Sequence, residues 1–515
     1  MTGSNGVPGL PASYRPLSVA GGIRAAMSRD PGKIAVRDGE RKRSYRDLVS
    51  RIDRVSAWML DGLKLEPGTH GAILAGNCIE YLEIVAGAAQ AGIPLATVNP
   101  RLSPREVAGI CDDAEARVLF VDGQCAEMAR DTEFESIEQV FVIGDDLERR
   151  LAGARPRADL APVHEWDTFT IPYTSGTTGK PKGVLVSHRS RILQFYGMAS
   201  EYGCYSPDDR FLGFTPLCHG GGLAFSIASI YLGGQLDLLS RFDPGEVLHR
   251  LDEGAATGVF MVPTHFHAIF ALEKAVLAKH SARALKSIIS NAAALPQATK
   301  EQIVGHFGDG ILHETYGSTE AGIVCNLRPA DQLRKQRCVG QPFTSTEVRL
   351  LDDDGEVGPG EVGELFSNSP FLFNGYWRKP RETAEAFRDG WVSVGDLARR
   401  DEEGYLYIVD RKKDMVISGG VNIFPREVEE ELLRHPDIVD AAVVGMPDER
   451  WGESLKAFVV LRAGLTLNAE ELAAFCEGRL ARFKIPRSVE TLPALPRNAY
   501  GKVLKGELRT YRSTG

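Results

Sequence analysis

Apolar positions along the chain alternate between two spacings. In residues 44–60 and 79–90 they recur with a helical period, whereas residues 71–75, 93–98 and 117–121 are short, mostly apolar runs. A helical period predicts an amphipathic helix, and a short apolar run between polar residues predicts a buried strand. Because strands and helices alternate, we predict a mainly parallel sheet with helices on its faces.

The same alternation continues in the middle of the chain. Apolar runs at 211–216, 258–262 and 288–290 predict further strands, and residues 223–232 predict a helix. Residues 311–316 lead into Gly-Ser-Thr-Glu at 317–320. The α/β prediction therefore extends over most of the sequence.

Two polar stretches indicate where helices begin. Residues 103–106, Ser-Pro-Arg-Glu, form a capping box with proline at the first helical position, and residues 468–471, Asn-Ala-Glu-Glu, cap another helix. Between them, residues 347–351 and 363–367 predict antiparallel strands around a turn-rich stretch, which suits a small β subdomain. Residues 151–167, rich in Ala, Pro and Arg, are predicted to be a linker.

A charged stretch at 410–414 marks a boundary. Beyond it, a helix at 425–434 and strands at 441–444 and 456–461 predict a compact tail. About a hundred residues are enough for a small core of their own.

The composition is that of an ordinary globular protein, with 43% hydrophobic and 25% charged residues among 515. The net charge of −9 argues against broad nucleic-acid binding, which needs a basic surface. No apolar run is long enough to span a bilayer, and the N-terminus lacks the basic start and apolar core of a signal peptide. The eight cysteines form no CxxC pair, which predicts reduced thiols and a cytoplasmic location.

Residues 173–184, Tyr-Thr-Ser-Gly-Thr-Thr-Gly-Lys-Pro-Lys-Gly-Val, are the glycine-rich segment. Flanking apolar residues predict strand, loop, strand, and successive N–H groups in such a loop can form an anion-binding nest. The segment is not a Walker P-loop, because Pro181 follows Lys180 and no helix is predicted after it. A surface loop of similar composition is the alternative. The two lysines favour a polyphosphate ligand.

Further motifs follow this segment in a fixed order: YGSTE at 316–320, VGD at 394–396, DR at 410–411 and PRNAYGK at 496–502. Together they resemble the signatures of the adenylate-forming superfamily, which contains acyl-CoA synthetases, nonribosomal-peptide adenylation domains and luciferases. The resemblance covers nearly the whole chain. It implies an α/β fold with a large N-terminal domain of parallel α/β subdomains, a small β-barrel-like subdomain, and a mobile small α+β C-terminal domain. The predicted bounds are 1–409 for the N-terminal domain, 410–414 for the hinge and 415–515 for the C-terminal domain.

The resemblance also implies the residues that bind ATP and AMP. The glycine-rich segment would hold the β- and γ-phosphates, Tyr316 would stack on adenine, and Thr319 would bond the α-phosphate. Asp396 would accept from the ribose hydroxyls, because a carboxylate has two acceptor oxygens. The whole predicted set is Thr174, Ser175, Gly176, Thr177, Thr178, Gly179, Lys180, Lys182, Asn291, Ala292, Ala293, Tyr316, Gly317, Ser318, Thr319, Asp396, Arg411 and Lys502.

The remaining assignments concern chemistry and the other substrates. Glu320 is the predicted ligand of Mg²⁺, which prefers one or two carboxylates together with phosphate oxygens. The predicted catalytic residues are Lys502, which neutralises the approaching anions, Thr319, His219 and the hinge residue Lys413. The predicted acyl-binding residues are His219, Gly221, Leu223, Phe225, Thr264, His265, Asn291 and Gly317. The predicted coenzyme A contacts are Ser418, Gly419 and Gly420.

The implied reaction has two steps. A carboxylic acid attacks ATP to give an acyl-adenylate and pyrophosphate with Mg²⁺, the tail domain rotates about Lys413, and a thiol then displaces AMP. Residues 214–219 contain no acidic side chain, which argues against an α-amino acid, and no second cation stands beside His219, which argues against a dicarboxylate. A medium- or long-chain aliphatic, alicyclic or aromatic monocarboxylic acid is predicted, with coenzyme A as the acceptor.

Three alternatives remain open at the level of sequence. They are an enzyme that loads a carrier-protein arm, a luciferase-like oxygenase, and a non-catalytic nucleotide-binding protein. A homodimer is also considered, and Lys502 lies in a setting that in related synthetases is acetylated for control.

Overall fold

The computed structural model describes residues 13–157, 160, 163–175, 181–254, 256–497 and 503–511. Part of the predicted site lies outside the described residues, as does the side chain of Ser175. The site residues concerned are Gly176, Thr177, Thr178, Gly179, Lys180 and Lys502.

Helices occur throughout the described ranges, and none of them is long and apolar enough to cross a membrane. They are α1 (Val19–Arg29), α2 (Tyr45–Ala57), α3 (Ile79–Gln90), α4 (Pro104–Asp113), α5 (Ala126–Asp131), α6 (Asp145–Gly153), α7 (His188–Tyr202), α8 (Gly220–Tyr231), α9 (Pro244–Glu253), α10 (Pro263–Phe270), α11 (Lys274–Leu277), α12 (Gln297–Phe307), α13 (Pro380–Ala386), α14 (Pro425–Leu432), α15 (Ala469–Cys476) and α16 (Lys505–Thr510).

The strands alternate with these helices as far as β14 and cluster afterwards. They are β1 (Ile34–Asp38), β2 (Arg41–Ser44), β3 (His70–Leu74), β4 (Leu95–Val98), β5 (Ala116–Val121), β6 (Gln139–Val142), β7 (Thr168–Ser175), β8 (Pro181–Gly183), β9 (Val186–Ser187), β10 (Arg210–Gly213), β11 (Gln235–Leu238), β12 (Gly258–Met261), β13 (Ser287–Ser290), β14 (Leu312–Ser318), β15 (Gly322–Leu327), β16 (Gln341–Pro342), β17 (Glu347–Leu351), β18 (Val362–Asn368), β19 (Phe387–Arg388), β20 (Trp391–Val392), β21 (Asp396–Arg400), β22 (Leu406–Arg411), β23 (Val416–Ser418), β24 (Val421–Ile423), β25 (Ile438–Asp448), β26 (Gly452–Leu461) and β27 (Ser488–Thr491).

The chain divides into two compact units. Unit 1 consists of Met1–Val348 and Ser367–Val392, and unit 2 of Arg349–Phe366 and Ser393–Gly515. The first segment of unit 1 ends at Val348, within the predicted β subdomain. The predicted domain bounds of 1–409 and 415–515 rest on the family resemblance and stay predictions.

Unit 1 contains two largely parallel sheets. Sheet A has the order β16-β15-β14-β13-β12-β10-β11-β1-β2, and its strands from β14 to β1 are parallel. Sheet B has the order β6-β5-β3-β4-β7-β8, with β9 also paired to β7. In open parallel sheets ligands bind beyond the carboxyl ends of the strands. Predicted site residues of unit 1 follow β10, β12 and β13 or form the last residues of β7 and β14, and these therefore lie at such ends.

Helix α3 is the central buried helix of unit 1. Its residues from Ile79 to Ala89 are all buried, as expected for a helix that is apolar on every side. It nevertheless carries Glu83, which is fully buried and is paired with Arg43 at 3.0 Å and Arg51 at 2.8 Å. Burial of this carboxylate is tolerated because both partners neutralise it.

Unit 2 is built from antiparallel strands. The part of β18 within this unit pairs with β21, and β21 pairs with β22. A second sheet has the order β24-β23-β26-β25, with β27 parallel to β26. Helices α14 and α15 bury their apolar faces against that sheet, which gives the tail a core of its own.

The local predictions agree with the structure in most places. The capping box at Ser103 and the cap at Asn468 both form, and α3 has the predicted bounds. Several details differ. Helix α6 extends to Gly153, into the predicted linker. Strand β10 ends at Gly213 and α14 at Leu432, both earlier than predicted, and α8 begins at Gly220, three residues earlier than predicted. The earlier start of α8 makes His219 its N-cap residue.

Candidate active site

The glycine-rich segment is entered and left by antiparallel strands. Thr174 at the end of β7 pairs with Lys182 in β8, and Tyr173 pairs with Gly183. The Lys182 ammonium lies 4.9 Å from the centre of the Tyr376 ring, which places a cation over an aromatic face. The strand–loop–strand prediction is thus confirmed for the two strands.

The motif at 316–320 is a tight turn between β14 and β15. The ladder shifts register between Tyr316 and Gly317, and a Cβ at Gly317 would lie 2.1 Å from the carbonyl oxygen of Gly322. Only glycine fits such an approach. The Ala321 N–H donates to Ser318 Oγ at 3.0 Å and closes the turn. The turn leaves Glu320 buried at 7% exposure.

The carboxylate of Glu320 is held by a tyrosine from a distant part of the chain. The Tyr376 hydroxyl donates to Glu320 Oε1 at 2.9 Å. Burial, and next the Glu320 charge, raise the pKa of Tyr376 well above its usual value, so the hydroxyl remains a donor.

The same carboxylate has the chemistry of a magnesium ligand. Among the described residues no group of three or more His, Cys, Asp or Glu side chains could hold a metal ion by itself. A single carboxylate with one oxygen occupied by a hydroxyl suits Mg²⁺, which takes its other ligands from phosphate and water.

The strip at 291–293 follows the carboxyl end of β13. Asn291 Nδ2 donates to Thr315 Oγ1 at 2.7 Å, and Ala292 has a φ of 76°, an uncommon conformation for a residue with a side chain. Glu314 in β14 accepts from the Leu295 N–H at 2.9 Å. These contacts fix the strip against β14 and leave Ala292 and Ala293 exposed.

The loop at 214–219, called the acid loop here, is fixed by sheet B. Asn77, three residues after the end of β3, accepts from the Leu217 N–H at 2.8 Å. Its Nδ2 atom is 3.2 Å from the Phe214 carbonyl oxygen, 3.3 Å from that of Thr215 and 3.2 Å from that of Leu239. Asn77 is only 7% exposed, and both the oxygen and the nitrogen of its side-chain amide make hydrogen bonds.

A second residue of sheet B holds the end of the acid loop. Thr97 in β4 donates to the Cys218 carbonyl oxygen at 2.9 Å. Helix α8 then begins with three glycines. A Cβ at Gly222 would lie 2.1 Å from the Pro216 carbonyl oxygen, so the first turn of α8 packs directly on the loop.

Apolar rings surround the start of α8. Phe225 and Phe260 stack with centroids 4.3 Å apart and planes 7° apart. A Cβ at Gly221 would lie 3.3 Å from the Phe260 ring, and Leu223 is buried. Gly221, Leu223 and Phe225 are predicted acyl-binding residues, and the Phe260 ring that two of them contact was not predicted.

The two predicted histidines are both neutral at ordinary pH. Burial, and next the Arg101 charge, lower the pKa of His219 to about 4. Burial lowers the pKa of His265 to about 4. The Val262 N–H donates to His265 Nδ1 at 3.2 Å, so this ring caps α10. Thr264 beside it is exposed.

In unit 2, the predicted ribose contacts lie side by side. Arg411 Nε lies 3.2 Å from Asp396 Oδ1, and the two residues are register partners in β22 and β21. Lys413 follows them; burial lowers the pKa of its ammonium. Arg509 donates to Asp414 at 2.9 Å and anchors this stretch to the last helix of the chain.

The predicted coenzyme A loop of unit 2 packs on a tryptophan. Gly419 has a φ of 59°, its N–H donates to the Trp451 carbonyl oxygen at 2.8 Å, and a Cβ there would lie 2.7 Å from the indole. Arg450 and Arg487 lie 4.9 Å and 5.2 Å from the same ring system. The positive φ at position 419 and its short distance from the indole both require glycine there.

The sequence analysis did not identify several residues at these sites: Asn77, Thr97, Phe260, Tyr376 and Trp451. The signal for Asn77 was a polar residue shortly after a buried strand. Tyr376 and Trp451 carry no local signal, because their partners are distant in sequence.

Comparison with known proteins identifies the family. The model described as AMP-binding enzyme matches residues 23–377, and the AMP-binding enzyme C-terminal domain matches residues 427–502. A feruloyl-CoA synthase from Amycolatopsis sp. is 37% identical over 497 residues, 94% of this chain and 97% of the relative. A long-chain-fatty-acid–CoA ligase from Bacillus subtilis is 32% identical over 523 residues, 94% and 92% respectively.

A solved structure supports the same assignment. The o-succinylbenzoate CoA synthetase of Bacillus subtilis, in complex with its acyl-adenylate intermediate, superposes with a TM-score of 0.86 at 27% identity, covering 97% of this chain and 99% of that one. The chain belongs to the AMP-binding enzyme family. The predicted fold and reaction class are confirmed: it is an AMP-forming acid–thiol ligase that uses ATP, Mg²⁺ and coenzyme A.

Proposed function

We propose that this ligase activates a monocarboxylic acid with an uncharged tail, with aryl and medium- to long-chain acids as its substrates. The observation that carries the proposal is the apolar lining at the start of α8, where Phe225 and Phe260 stack beside Gly221. A charged tail lying against these stacked rings would lack a partner, which is costly in a buried site. The Arg101 charge acts instead on His219, where the carboxylate of the acid is proposed to bind. The names of relatives, a feruloyl-CoA synthase and a long-chain-fatty-acid–CoA ligase, support both classes of acid.

His219 is proposed to contact the carboxylate of the acid. Because its pKa is about 4, the ring is neutral and serves as a hydrogen-bond donor. It has no role as a general base, since a carboxylic acid is already ionised at neutral pH.

The nucleotide is proposed to lie between the strip at 291–293, the turn at 316–320 and the glycine-rich segment. Thr319 and Lys182 would contact phosphates, and Glu320 would hold Mg²⁺, which neutralises charge on the departing pyrophosphate. Lys502 would neutralise the two anions that meet in the first step.

For the second step, we propose that the predicted C-terminal domain, residues 415–515, changes its pose about Lys413. Asp396 and Arg411 would hold the ribose, and Ser418, Gly419 and Gly420 would border the path of the coenzyme A thiol. The thiol loses its proton to solvent, its sulfur bonds to the acyl carbon, the bond between the acyl carbon and the phosphate oxygen breaks, and AMP leaves with that electron pair.

The experiment is a screen for pyrophosphate release and for acyl-CoA over aryl, fatty, alicyclic, dicarboxylic and amino acids. The proposal expects product with uncharged-tail acids, and none from a Lys502→Ala variant. Release only with a dicarboxylic or amino acid would overturn the substrate class. Acylation of a carrier protein without acyl-CoA would overturn the acceptor.

Two further predictions concern regulation and assembly. Acetylation of Lys502 is proposed to abolish adenylation because it removes the needed charge; intact mass and activity after acetyltransferase treatment test it. A homodimer and a cytoplasmic location stay predictions, the first to be tested by sedimentation.

A further inference from the structure

The segment at 373–377, called the strap here, bridges two motifs that the reaction needs together. At one end the Phe373 N–H donates to the Glu320 carbonyl oxygen at 2.9 Å. At the other end the Trp377 N–H donates to the Gly183 carbonyl oxygen at 2.8 Å. Its backbone therefore ties the turn at 316–320 to the strand that leaves the glycine-rich segment.

Further backbone contacts make the strap a strand partner of that exit. The Leu185 N–H donates to the Gly375 carbonyl oxygen at 2.9 Å, and the Asn374 N–H donates to the Leu185 carbonyl oxygen at 2.8 Å. Gly375 has a φ of 128°, a conformation that favours glycine. These hydrogen bonds fix the path of the strap backbone beside Leu185.

One side chain of the strap reaches both motifs. The hydroxyl of Tyr376 donates to Glu320 Oε1 at 2.9 Å, while the Lys182 ammonium lies 4.9 Å from the centre of its ring. The hydroxyl fixes the rotation of the carboxylate, and the ring face attracts the ammonium. A cation and an anion are held by one aromatic side chain without forming a direct ion pair.

We propose that Tyr376 is a positioning residue that orients Glu320 for Mg²⁺ and Lys182 for the phosphates of ATP. The inference rests on the proposed roles of Glu320 and Lys182. Partners that orient a metal ligand typically affect metal affinity by about 10- to 100-fold. Because the contacts of Tyr376 are with Glu320 and Lys182, its effect should fall on metal and nucleotide and not on the acid.

The test compares two variants of Tyr376 with a matched control. Tyr376→Phe removes only the hydroxyl, and Tyr376→Leu also removes the ring. In unit 2, the Tyr407 hydroxyl donates to Asp401 at 3.0 Å, and Arg399 lies 4.2 Å from its ring centre. Tyr407→Phe therefore removes a similar bond from a similar cation–aromatic group outside the proposed site.

Binding of ATP is measured by calorimetry with Mg²⁺ and with EDTA, and needs no knowledge of the acid. We expect Tyr376→Phe to weaken MgATP binding by about 10-fold and to leave metal-free ATP binding within about twofold. Tyr376→Leu should weaken both, because Lys182 loses its support. The Tyr407→Phe variant should bind MgATP and metal-free ATP with the same affinities as the unmodified chain. Equal MgATP affinity in Tyr376→Phe and the unmodified chain would overturn the inference.

A double-mutant cycle with Glu320→Gln guards against a merely structural effect. If Tyr376 acts through Glu320, the penalty of Tyr376→Phe should largely vanish in the Glu320→Gln background. Additive penalties would contradict the inference. If the unmodified chain binds no MgATP at all, the proposed nucleotide site fails instead, so the two failures are distinguishable.

Discussion

The acid loop and the strap are both held by residues from elsewhere in the chain, but by opposite kinds of contact. Asn77 holds the acid loop through an uncharged amide bonded to backbone groups in a buried setting. Tyr376 holds the turn at 316–320 and Lys182 through a carboxylate and a cation. The difference matches the proposed ligands: an apolar acid requires fixed shape without charge, whereas a metal-bound polyphosphate requires charge held in place. Variants of the two regions should therefore differ in which substrate they affect.

The largest effect is expected from Glu320→Gln. The change keeps the hydrogen-bond acceptor for Tyr376 but removes the charge proposed to hold Mg²⁺. Loss of a charge that stabilises a transition state typically lowers rates by about 10²- to 10³-fold, and pyrophosphate release should fall by this order. Glu385→Gln, which disrupts the exposed pair with Arg381, is the control and should have no effect. Unchanged pyrophosphate release in Glu320→Gln would remove the contrast between the two regions.

A different substrate should be affected when the acid loop is released. Asn77→Ala removes the donor to three carbonyl oxygens and the acceptor for the Leu217 N–H. Each buried group left unsatisfied costs roughly 1–3 kcal/mol, so the melting temperature should fall. Among molecules that remain folded, the KM for the acid should rise about 10-fold or more while the KM for ATP changes little.

Thr97→Val separates positioning from stability. The change removes a single bond to the Cys218 carbonyl oxygen. It should raise the KM for the acid by less than Asn77→Ala. An equal rise in the KM for ATP in both variants would contradict a role specific to the acid loop.

The contacts of Tyr376 with Glu320 and of Asn77 with Phe214 show which features could be predicted from the sequence and which could not. The cap at Ser103 and the fold of the turn at 316–320 depend on residues a few positions apart, so their chemistry is visible in the sequence. Tyr376 and Glu320 are 56 positions apart, and Asn77 lies 137 positions from Phe214. Such pairs are created by the order of strands in the sheets, which local patterns do not specify. The roles of the predicted site residues themselves stay predictions.

Because His265 is buried in its neutral form, we expect the free energy of unfolding to depend on pH. The pKa of His265 is lowered by burial from 6.5 to about 4. A histidine with a depressed folded pKa contributes stability that is present above pH 6.5 and is lost as the pH falls towards 4. At pH 5 this loss amounts to about 2 kcal/mol.

Denaturant unfolding at pH 7 and pH 5 measures the response. His265→Asn keeps an acceptor for the Val262 N–H but does not titrate in this range. The variant should be less stable at pH 7 because the ring contacts with Phe214 and Phe242 are lost, but its stability should fall less between pH 7 and pH 5. The same fall in both proteins would show that His265 does not take up a proton on unfolding.

The smallest effect is expected from Gly221→Ala, and it tests the shape of the acid region directly. The added methyl group would lie 3.3 Å from the Phe260 ring, so the ring must shift by a few tenths of an ångström. One methyl group in an apolar pocket typically changes discrimination by about 10- to 200-fold, and the lower end is expected here because the ring can shift. We therefore expect kcat/KM to fall for bulky aryl acids and to change little for slender aliphatic acids, with the KM for ATP unaffected. Gly305→Ala in α12, where a Cβ meets nothing within 4 Å, is the control for the general effect of glycine replacement. If kcat/KM falls equally for bulky and slender acids, the methyl group acts through α8 as a whole, and Phe260 does not border the acid. If kcat/KM falls only for bulky acids, the stacked pair of Phe225 and Phe260 is the wall of the pocket that selects the substrate.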